Sequence, residues 1–156
     1  MTGTIYLDAD ACPVKEQVYR VAARYKVPLW VVSNGRLHIP DLPGLNAQQM
    51  TVPGSPDAAD DWIAEHATKG DLVLTADIPL AARAIANGVE CLDFRGGAYN
   101  PNRIGDALAS REINAHLRSI GLQTSGPAPF SARDRGLFAS KLDAVVSRMA
   151  RSDAPG

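Results

Sequence analysis

Two carboxylates stand one residue apart at the end of a short apolar segment, in the run Ile5-Tyr6-Leu7-Asp8-Ala9-Asp10-Ala11-Cys12-Pro13. The apolar segment predicts a strand that ends on Asp8, followed by a tight turn and a helix. In α/β sheets, ligands bind at the carboxyl ends of strands. Two unit charges about 4 Å apart repel by roughly 4 kcal/mol at an effective dielectric near 20, and folding alone gives little reason for that. The pair therefore indicates chemistry, with the repulsion relieved by a cation or by a shared proton.

Further aspartates occur at two comparable places in the chain. Asp57, Asp60 and Asp61 fall in the first turns of a predicted helix, and Asp77 follows a predicted strand. Asp57 shares a helix face with Asp60 and with Asp61, because the spacings are three and four residues. Strand ends and the starts of the following helices share one edge of a parallel sheet, so we expect these carboxylates to converge with the first pair.

A convergent set of carboxylates is the donor set that magnesium or manganese prefers. Magnesium takes octahedral oxygen ligands and keeps several waters, and such a site activates water for phosphodiester cleavage. The predicted metal ligands are Asp8, Asp10, Asp57, Asp60 and Asp77. Single residues have plainer interpretations: Asp57 fits a favourable contact with a helix dipole, and Asp77 fits a helix cap. Taken as a set, the aspartates favour the metal site.

Segments with strand and helix character alternate along the first two thirds of the chain. The predicted strands are Thr4–Asp8, Leu29–Ser33, Leu72–Thr75 and Val89–Leu92, with a short additional one over Gln49–Val52. The predicted helices are Pro13–Lys26, Ser55 to about Lys69, Ile78–Asn87 and Arg103–Ile120. This alternation predicts an α/β fold: a single three-layer domain with a central, mainly parallel sheet of four to five strands and C-terminal helices.

Proline and small polar residues mark the predicted helix starts. Pro13 is expected at the first helical position, and Ser55 is expected to cap the second helix ahead of Pro56. The segment Ser131-Ala132-Arg133-Asp134 resembles a capping box and predicts a last helix after a linker over Gln123–Phe130. We therefore expect an α/β core over residues 1–121, with the linker and the C-terminal helix over residues 122–151 packed on the same domain.

The composition is that of one globular domain. The chain has 156 residues, of which 46 % are hydrophobic, and no apolar run approaches the roughly 20 residues of a membrane span. No basic segment followed by an apolar one resembles a signal peptide. Cys12 and Cys91 lack metal-ligand spacing, which favours a cytoplasmic protein with free thiols. Cys12 lies beside the acids, but no histidine is near in sequence, so a small buried residue is favoured over a nucleophile.

Charge is distributed unevenly, although the net charge is only −1. Residues 1–93 hold 7 basic and 12 acidic residues, whereas residues 94–156 hold 9 basic and 5 acidic residues. This asymmetry fits a phosphate-binding surface beside an acidic metal site, but ordinary solvated surface explains the charge alone better. The candidate substrate contacts are Lys15, Asn34, Arg36, Arg95, Arg133 and Arg135, with Arg103 and Arg111 as further phosphate contacts. The aromatic candidates are Tyr99 for stacking on a base, and Trp30, Trp62 and Phe138 for the core.

Four segments carry a resemblance to a known family. They are Asp8-Ala9-Asp10-Ala11-Cys12-Pro13, Asp57-Ala58-Ala59-Asp60, Leu74-Thr75-Ala76-Asp77-Ile78-Pro79-Leu80-Ala81 and Ser131-Ala132-Arg133-Asp134-Arg135. Through them the chain resembles the YaiI/YqxD family of bacterial proteins over nearly its whole length. The order of the aspartates also looks like that of the PIN-like nuclease superfamily. The YaiI/YqxD family has no assigned function, so the resemblance implies a PIN-like fold more directly than an activity.

PIN-type nucleases use acidic residues to bind magnesium or manganese and to cleave RNA. The resemblance implies Asp8, Asp60 and Asp77 as catalytic residues, with Asp10 and Asp57 as their close partners. Many PIN domains carry a further acid just after the position of Asp77, whereas Ile78-Pro79-Leu80 follow it here. The leading hypothesis is a nuclease that needs Mg²⁺ or Mn²⁺ and acts on RNA. The departure motivates an alternative, a non-catalytic module that binds nucleic acid or regulates a partner.

A different enzyme class also starts from the first pair of acids. Asp8-x-Asp10 after an apolar strand resembles the nucleophile motif of haloacid-dehalogenase-type phosphatases. There, Asp8 would form a phosphoaspartate and Asp10 would act as the acid or base. The later lysine and acidic pair of that family fit poorly, because Lys69 lies only eight residues before Asp77. RNA therefore remains the expected partner, and no membrane partner is expected.

Overall fold

The computed structural model describes residues 3–55, 57–123 and 128–152. The strands are β1 (Ile5–Asp8), β2 (Leu29–Ser33), β3 (Ala47–Thr51), β4 (Leu72–Leu74) and β5 (Glu90–Leu92). The helices are α1 (Lys15–Tyr25), α2 (Ala58–His66), α3 (Ile78–Ala86), α4 (Pro101–Ser119) and α5 (Ala132–Ser152). Among the described residues, no helix has both the length and the apolar character needed to cross a membrane.

The strands form one sheet in the order β3-β2-β1-β4-β5, and every neighbouring pair is parallel. β1 is central, because Ile5 pairs with Leu29 of β2 on one side and with Leu72 of β4 on the other. The chain builds outward from β1 to β3 and then returns to add β4 and β5 on the opposite side. The crevice at the carboxyl end of such a reversal is where α/β sheets bind ligands. The predicted α/β domain with a parallel central sheet is confirmed.

Helices cover both faces of the sheet and give the domain three layers. Successive residues of β1 point to opposite faces. On one face, the fully buried Leu7 packs in a cluster with Val18 of α1 and Phe138 of α5. On the other face, Tyr6 packs in a cluster with Ile63 of α2 and with buried residues of α3 and α4. Both faces of β1 are therefore apolar, and polar chemistry is confined to the sheet edge where the strand ends.

The predicted core aromatic residues occupy two different environments. Phe138 is fully buried, as predicted. Trp30 and Trp62 are half-buried and pack against the cluster that contains Tyr6, with their ring centroids 5.3 Å apart. The two tryptophans therefore close the side of the core rather than fill its centre.

The predicted start of α1 is wrong. The helix begins at Lys15, with Val14 as its N-cap residue, so Pro13 lies ahead of the first helical position. Residues 9–12 form a turn instead, in which the Cys12 amide donates to the carbonyl of Ala9 at 3.2 Å. This turn separates Asp8 from the helix and keeps Asp10 at the sheet edge.

The predicted bounds of α2 are also wrong. Its N-cap residue is Asp57 rather than Ser55, and its first helical residue is Ala58. Pro56 lies outside the described residues. The helix ends at His66 because Ala67 adopts an extended backbone, so it stops short of Lys69. Asp60 lies in the first turn of the helix, at the carboxyl edge of the sheet.

The capping box at the start of α5 is confirmed. The Asp134 amide donates to the Ser131 hydroxyl at 3.1 Å, and the Ser131 amide donates to the Asp134 carboxylate at 3.0 Å. α5 packs beside α1, where the Tyr25 hydroxyl donates to Asp143 at 2.7 Å. Within the predicted linker over Gln123–Phe130, residues 124–127 lie outside the described part of the chain.

Candidate active site

Four of the five predicted metal ligands line one cavity of about 260 Å³ at the carboxyl edge of the sheet. Its polar lining consists of Asp8, Asp10, Asn34, Ser55, Asp60 and Asp77. We call it the acidic cavity. Asp8 ends β1 and Asp77 follows β4, so the cavity lies at the point where the strand order reverses. No lysine or arginine is among the described residues that line it.

A buried threonine connects two of these acids. The Thr75 hydroxyl donates to Asp8 Oδ2 at 2.7 Å and accepts the backbone amide of Asp77 at 2.9 Å. Thr75 is fully buried, and its carbonyl accepts the Tyr99 hydroxyl at 3.2 Å. The sequence prediction missed this residue, although its position between a strand and Asp77 was a usable signal. Thr75 fixes the carboxylate that ends β1 relative to the start of α3.

Asp77 has two roles that were expected to be alternatives. Its Oδ1 atom accepts the backbone amide of Leu80 at 2.9 Å, so it caps α3. The helix-cap interpretation is therefore confirmed. The same carboxylate lines the acidic cavity, and so capping fixes its position there rather than removing it from the site.

Asp60 lies close to the carboxylates of Asp77 and Asp8. Burial raises the pKa of Asp60 to about 7, and the nearby charges of Asp77 and Asp8 contribute in the same direction. Burial also raises the pKa of Asp8, against the opposing hydrogen bond from Thr75. The charged forms of Asp8 and Asp60 are therefore disfavoured in the acidic cavity.

Asp10 lies at the exposed rim of the acidic cavity. Its carboxylate oxygens accept the Asn34 amide at 3.0 and 3.2 Å, which ties the turn after β1 to the end of β2. The turn that carries Asn34 is itself held by Gln49, whose side-chain amide donates to Ser33 Oγ at 3.1 Å and to the Gly35 carbonyl at 2.9 Å. Asn34 therefore serves the site through its backbone.

The predicted convergence of five aspartates needs correction. Asp57 is exposed at the N-cap of α2 and outside the cavity lining, although its charge adds to the raised pKa of Asp60. In the described ranges, no three His, Cys, Asp or Glu side chains stand close enough together to hold a metal ion. The acids share a cavity but do not form a preassembled metal cluster.

Several predicted substrate contacts lie outside the acidic cavity. The Lys15 ammonium donates to the carbonyl of Cys12 at 2.9 Å. Arg36, Arg133 and Arg135 are exposed, and none is among the lining residues. Cys12 itself is buried, which raises the pKa of its thiol to about 11, so the interpretation as a small buried residue is confirmed.

A second cavity of about 480 Å³ adjoins the first. We call it the aromatic cavity. Its functional lining consists of Asp93, Phe94, Arg95, Tyr99, Arg103 and Phe130, with Ala11, Pro13, Ala76 and Ile78 on the near side. Ala11 lines both cavities, and Asp77 faces the acidic cavity while its chain neighbours Ala76 and Ile78 line the aromatic one. The two cavities therefore share a wall.

An arginine and a tyrosine form one side of the aromatic cavity. The Arg103 guanidinium lies 4.2 Å from the centroid of the Tyr99 ring and pairs with the carboxylate of Asp93. Arg103 also donates to the Ala98 carbonyl at 3.1 Å. These contacts hold the guanidinium plane in place and neutralise its charge. The sequence named Arg103 and Tyr99 as separate candidates but did not predict that they meet.

A second arginine of the aromatic cavity pairs with a carboxylate at the start of α5. Arg95 Nη1 lies 2.8 Å from the carboxylate of Asp134 in the capping box of α5, and its guanidinium lies 5.5 Å from the centroid of the Phe130 ring. Phe130 was missed by the sequence prediction, in which it was only the last residue of a linker. Its signal was an aromatic residue beside the predicted start of α5.

Two glycines close the loop that supports these arginines. Gly96 has a φ of +91°, and a Cβ atom there would lie 2.8 Å from the backbone of Leu137 in α5. A Cβ atom at Gly97 would lie 2.8 Å from both the Asp93 carboxylate and the Arg103 guanidinium. The run Arg95-Gly96-Gly97 therefore allows the loop to pack directly against α5 and around the ion pair.

The fold and its edge define a three-layer α/β domain with a carboxylate cavity at the switch point of a parallel sheet. The family model described as "Uncharacterized BCR, YaiI/YqxD family" matches residues 6–148, and the chain belongs to this family. The predicted membership is thus confirmed.

Curated relatives cover almost the whole chain. A UPF0178 protein of Caulobacter sp. (strain K31) is 49 % identical over 147 residues, which span 94 % of this chain and 96 % of the relative. A UPF0178 protein of Caulobacter vibrioides (strain NA1000 / CB15N) is 45 % identical over 97 % of this chain and 98 % of its own length. One from Brucella ovis is 45 % identical over 97 % of this chain and 93 % of its own length. No solved structure matches the chain.

Proposed function

We propose that this protein is a divalent-metal-dependent nuclease that cleaves RNA, with the acidic cavity as its active site. The observation that carries the proposal is that Asp8, Asp60 and Asp77 come from three separate elements and line one cavity. Burial and mutual repulsion raise the pKa of Asp60 to about 7 there. Strongly shifted carboxyl groups in a cleft are typical of functional sites.

The donor set fits a hard divalent cation. All charged groups among the described residues that line the cavity are carboxylates, and oxygen ligands select magnesium and manganese. Asp8, Asp60 and Asp77 would hold the ion, with Asp10 available at the rim, and their side chains would have to draw closer together as it binds. A bound ion of this kind supplies Lewis-acid stabilisation of the phosphodiester and lowers the pKa of a water. Asp60 would bind the ion in its deprotonated form, because a protonated carboxyl group is a poor ligand.

The chain's own residues position these groups. The Thr75 hydroxyl orients Asp8, and it also receives the amide of Asp77, so one side chain aligns two acids. The backbone amide of Leu80 donates to Asp77 and fixes that carboxylate at the start of α3. The Asn34 amide holds Asp10 at the entrance. Thr75, Leu80 and Asn34 therefore act as positioning residues rather than as reacting groups.

Exposed arginines support a nucleic-acid substrate. Arg133 and Arg135 lie at the start of α5, where the helix N-terminus favours phosphate. Arg95 reaches the aromatic cavity that adjoins the active site. We expect phosphate contacts by Arg133 and Arg135 to position the strand and not to select its sequence, whereas Arg95 is already paired with Asp134.

The phosphatase alternative is disfavoured by the position of its required lysine. Lys69 lies just before β4, at the amino end of that strand, whereas Asp8 lies at the carboxyl end of β1. Trapping with beryllium fluoride separates the two chemistries. A nuclease forms no stable adduct on Asp8, whereas a phosphatase with an aspartate nucleophile does.

A cleavage assay with a matched pair of variants tests the proposal. End-labelled single-stranded RNA is incubated with the protein in Mn²⁺ or Mg²⁺, and single-stranded DNA is run in parallel. Asp60→Asn is expected to lower the rate by about 10²-fold or more. Asp61→Asn is the control, because Asp61 is the next residue of α2 but is exposed and pairs with Arg83 at 2.7 Å. If the wild type binds RNA but does not cleave it, the nuclease hypothesis is wrong and the non-catalytic RNA-binding module is favoured.

A further inference from the structure

We propose that the aromatic cavity binds one unpaired base of the substrate, next to the phosphodiester that the acidic cavity holds, so that the substrate is single-stranded nucleic acid. The inference rests on the proposed function for the position of the phosphodiester. It adds the class of strand that the site accepts and the residues that recognise it.

The two cavities lie next to each other at the carboxyl edge of the sheet. They share Ala11, and the segment Ala76–Ile78 passes between them with Asp77 facing the acidic side. A phosphate bound at the acids therefore has its own nucleoside, or that of its neighbour, at the shared wall. The aromatic cavity, at about 480 Å³, lies within the size range of ligand pockets, roughly 300–1,000 Å³.

The lining of the aromatic cavity offers two flat surfaces. Phe130 is half-buried and supplies the accessible aromatic ring, since Phe94 and Tyr99 are only 5 % and 8 % exposed. The guanidinium of Arg103 lies over Tyr99 and supplies an arginine plane. Unpaired bases stack on aromatic rings and on arginine planes. This lining provides both kinds of surface.

Both arginines that line the aromatic cavity are paired with carboxylates. Arg103 is paired with Asp93, and Arg95 is paired with Asp134, so neither guanidinium carries an uncompensated charge into the cavity. A phosphate group would have to compete with these carboxylates for the arginines. A flat, uncharged ring gains stacking and dispersion without breaking either pair. The aromatic cavity is therefore suited to the base and the acidic cavity to the backbone.

The unpaired state of the base follows from geometry. In a duplex the base edges are paired and both faces are stacked, so a base has to leave the helix to enter a side pocket. A single strand presents its bases without that cost. We therefore expect single-stranded RNA or DNA to bind more tightly than the duplex of the same sequence.

Fluorescence binding in EDTA tests the proposal without any cleavage. The probe is a short single-stranded RNA with one 2-aminopurine base, whose emission falls when the base stacks in the cavity. Phe130→Ala is expected to weaken its affinity at least about fivefold. Phe130→Tyr is expected to restore the affinity. Ile113→Ala is the control, because Ile113 is 59 % exposed on α4 and lines neither cavity.

The outcomes separate this inference from the proposed function. Equal affinity for the single strand and the duplex, or an unchanged affinity of Phe130→Ala, would overturn the base site even if the protein cleaves RNA. A Phe130-dependent affinity in a protein that cleaves nothing would support the base site and remove the nuclease. Melting temperatures of all variants identify any loss of folding, and the comparison of the single strand with the duplex on the wild type keeps the test decisive if Phe130→Ala unfolds.

Discussion

The two adjoining cavities differ most in how their charges are balanced. In the acidic cavity, carboxylates from β1, α2 and the start of α3 face one another without a lining cation among the described residues, and burial with the neighbouring charges raises the pKa of Asp60 to about 7. In the aromatic cavity, Arg95 and Arg103 each have a carboxylate partner. The first region retains unfavourable electrostatics that a ligand can relieve, whereas the second is already satisfied.

This difference indicates separate tasks for the two regions. A group of like charges gains most from a cation. A neutral, preorganised aromatic lining gains most from a planar ring. Chemistry is therefore assigned to the acidic cavity and recognition to the aromatic one.

The largest expected effect comes from separating these tasks by mutation. We expect Asp60→Asn to lose cleavage by about 10²-fold or more while binding single-stranded RNA in EDTA at least as tightly as the wild type, because it removes negative charge. Phe130→Ala is expected to show the opposite pattern, with weakened binding. Cleavage rates and fluorescence titrations on the same preparations measure both. The comparison fails if both variants lose binding equally.

Thr75 offers the next largest effect. Thr75→Val removes the hydroxyl that orients Asp8 and leaves the partly buried amide of Asp77 without its partner. Loss of such supporting hydrogen bonds costs about 10-fold or more in metal affinity. Titration calorimetry with Mn²⁺ measures it, and Thr75→Ser, which keeps the hydroxyl, is the control. Equal Mn²⁺ affinity of Thr75→Val and the wild type would show that Thr75 does not position the metal ligands.

Two glycine substitutions test the packing of the loop that supports the aromatic cavity. Gly96→Ala combines a φ of +91° with a close approach to the backbone of Leu137, so we expect the free energy of unfolding to fall by more than about 1 kcal/mol. Gly105→Ala lies inside α4 with nothing within 4 Å of its Cβ, and it is expected to stabilise the protein by about 0.4–1 kcal/mol. Urea denaturation checks both. A neutral Gly96→Ala would mean that the loop does not need its tight packing.

The last prediction is a pH dependence of the free energy of unfolding, measured in EDTA. Asp60 has a pKa of about 7 in the folded protein against 3.8 ordinarily, so the native state binds more protons between these values. Stability therefore falls as pH rises through this window. Melting in EDTA at about pH 5 and about pH 8 should show a smaller difference for Asp60→Asn than for the wild type. Asp61→Asn should behave as the wild type, and an equal response of both variants would exclude Asp60 as the source.

The fold was largely predictable because strong local signals agree with the tertiary structure. Buried strands such as Leu29–Ser33 are continuous apolar runs, as parallel strands covered on both faces must be. The bounds of α2 were less predictable, because Ser55 and Asp57 are both good cap residues and only tertiary packing chooses between them.

The candidate site also has residues that the sequence predicts and residues that it does not. Asp8 and Asp77 were predictable because strand ends in a parallel sheet converge at one edge. Thr75 was not singled out, since a threonine at a strand end is common and its two hydrogen bonds depend on the third dimension. The meeting of Arg95 with Phe130 depends on α5 returning across the domain, which local sequence does not encode.

The metal site is tested most directly by a crystal grown near pH 8 and soaked in Mn²⁺, with anomalous diffraction data. We expect one anomalous peak in the acidic cavity, bordered by Asp8, Asp60 and Asp77, and none in the aromatic cavity. An acidic cavity without a peak at saturating Mn²⁺ would overturn the assignment of metal chemistry to this site.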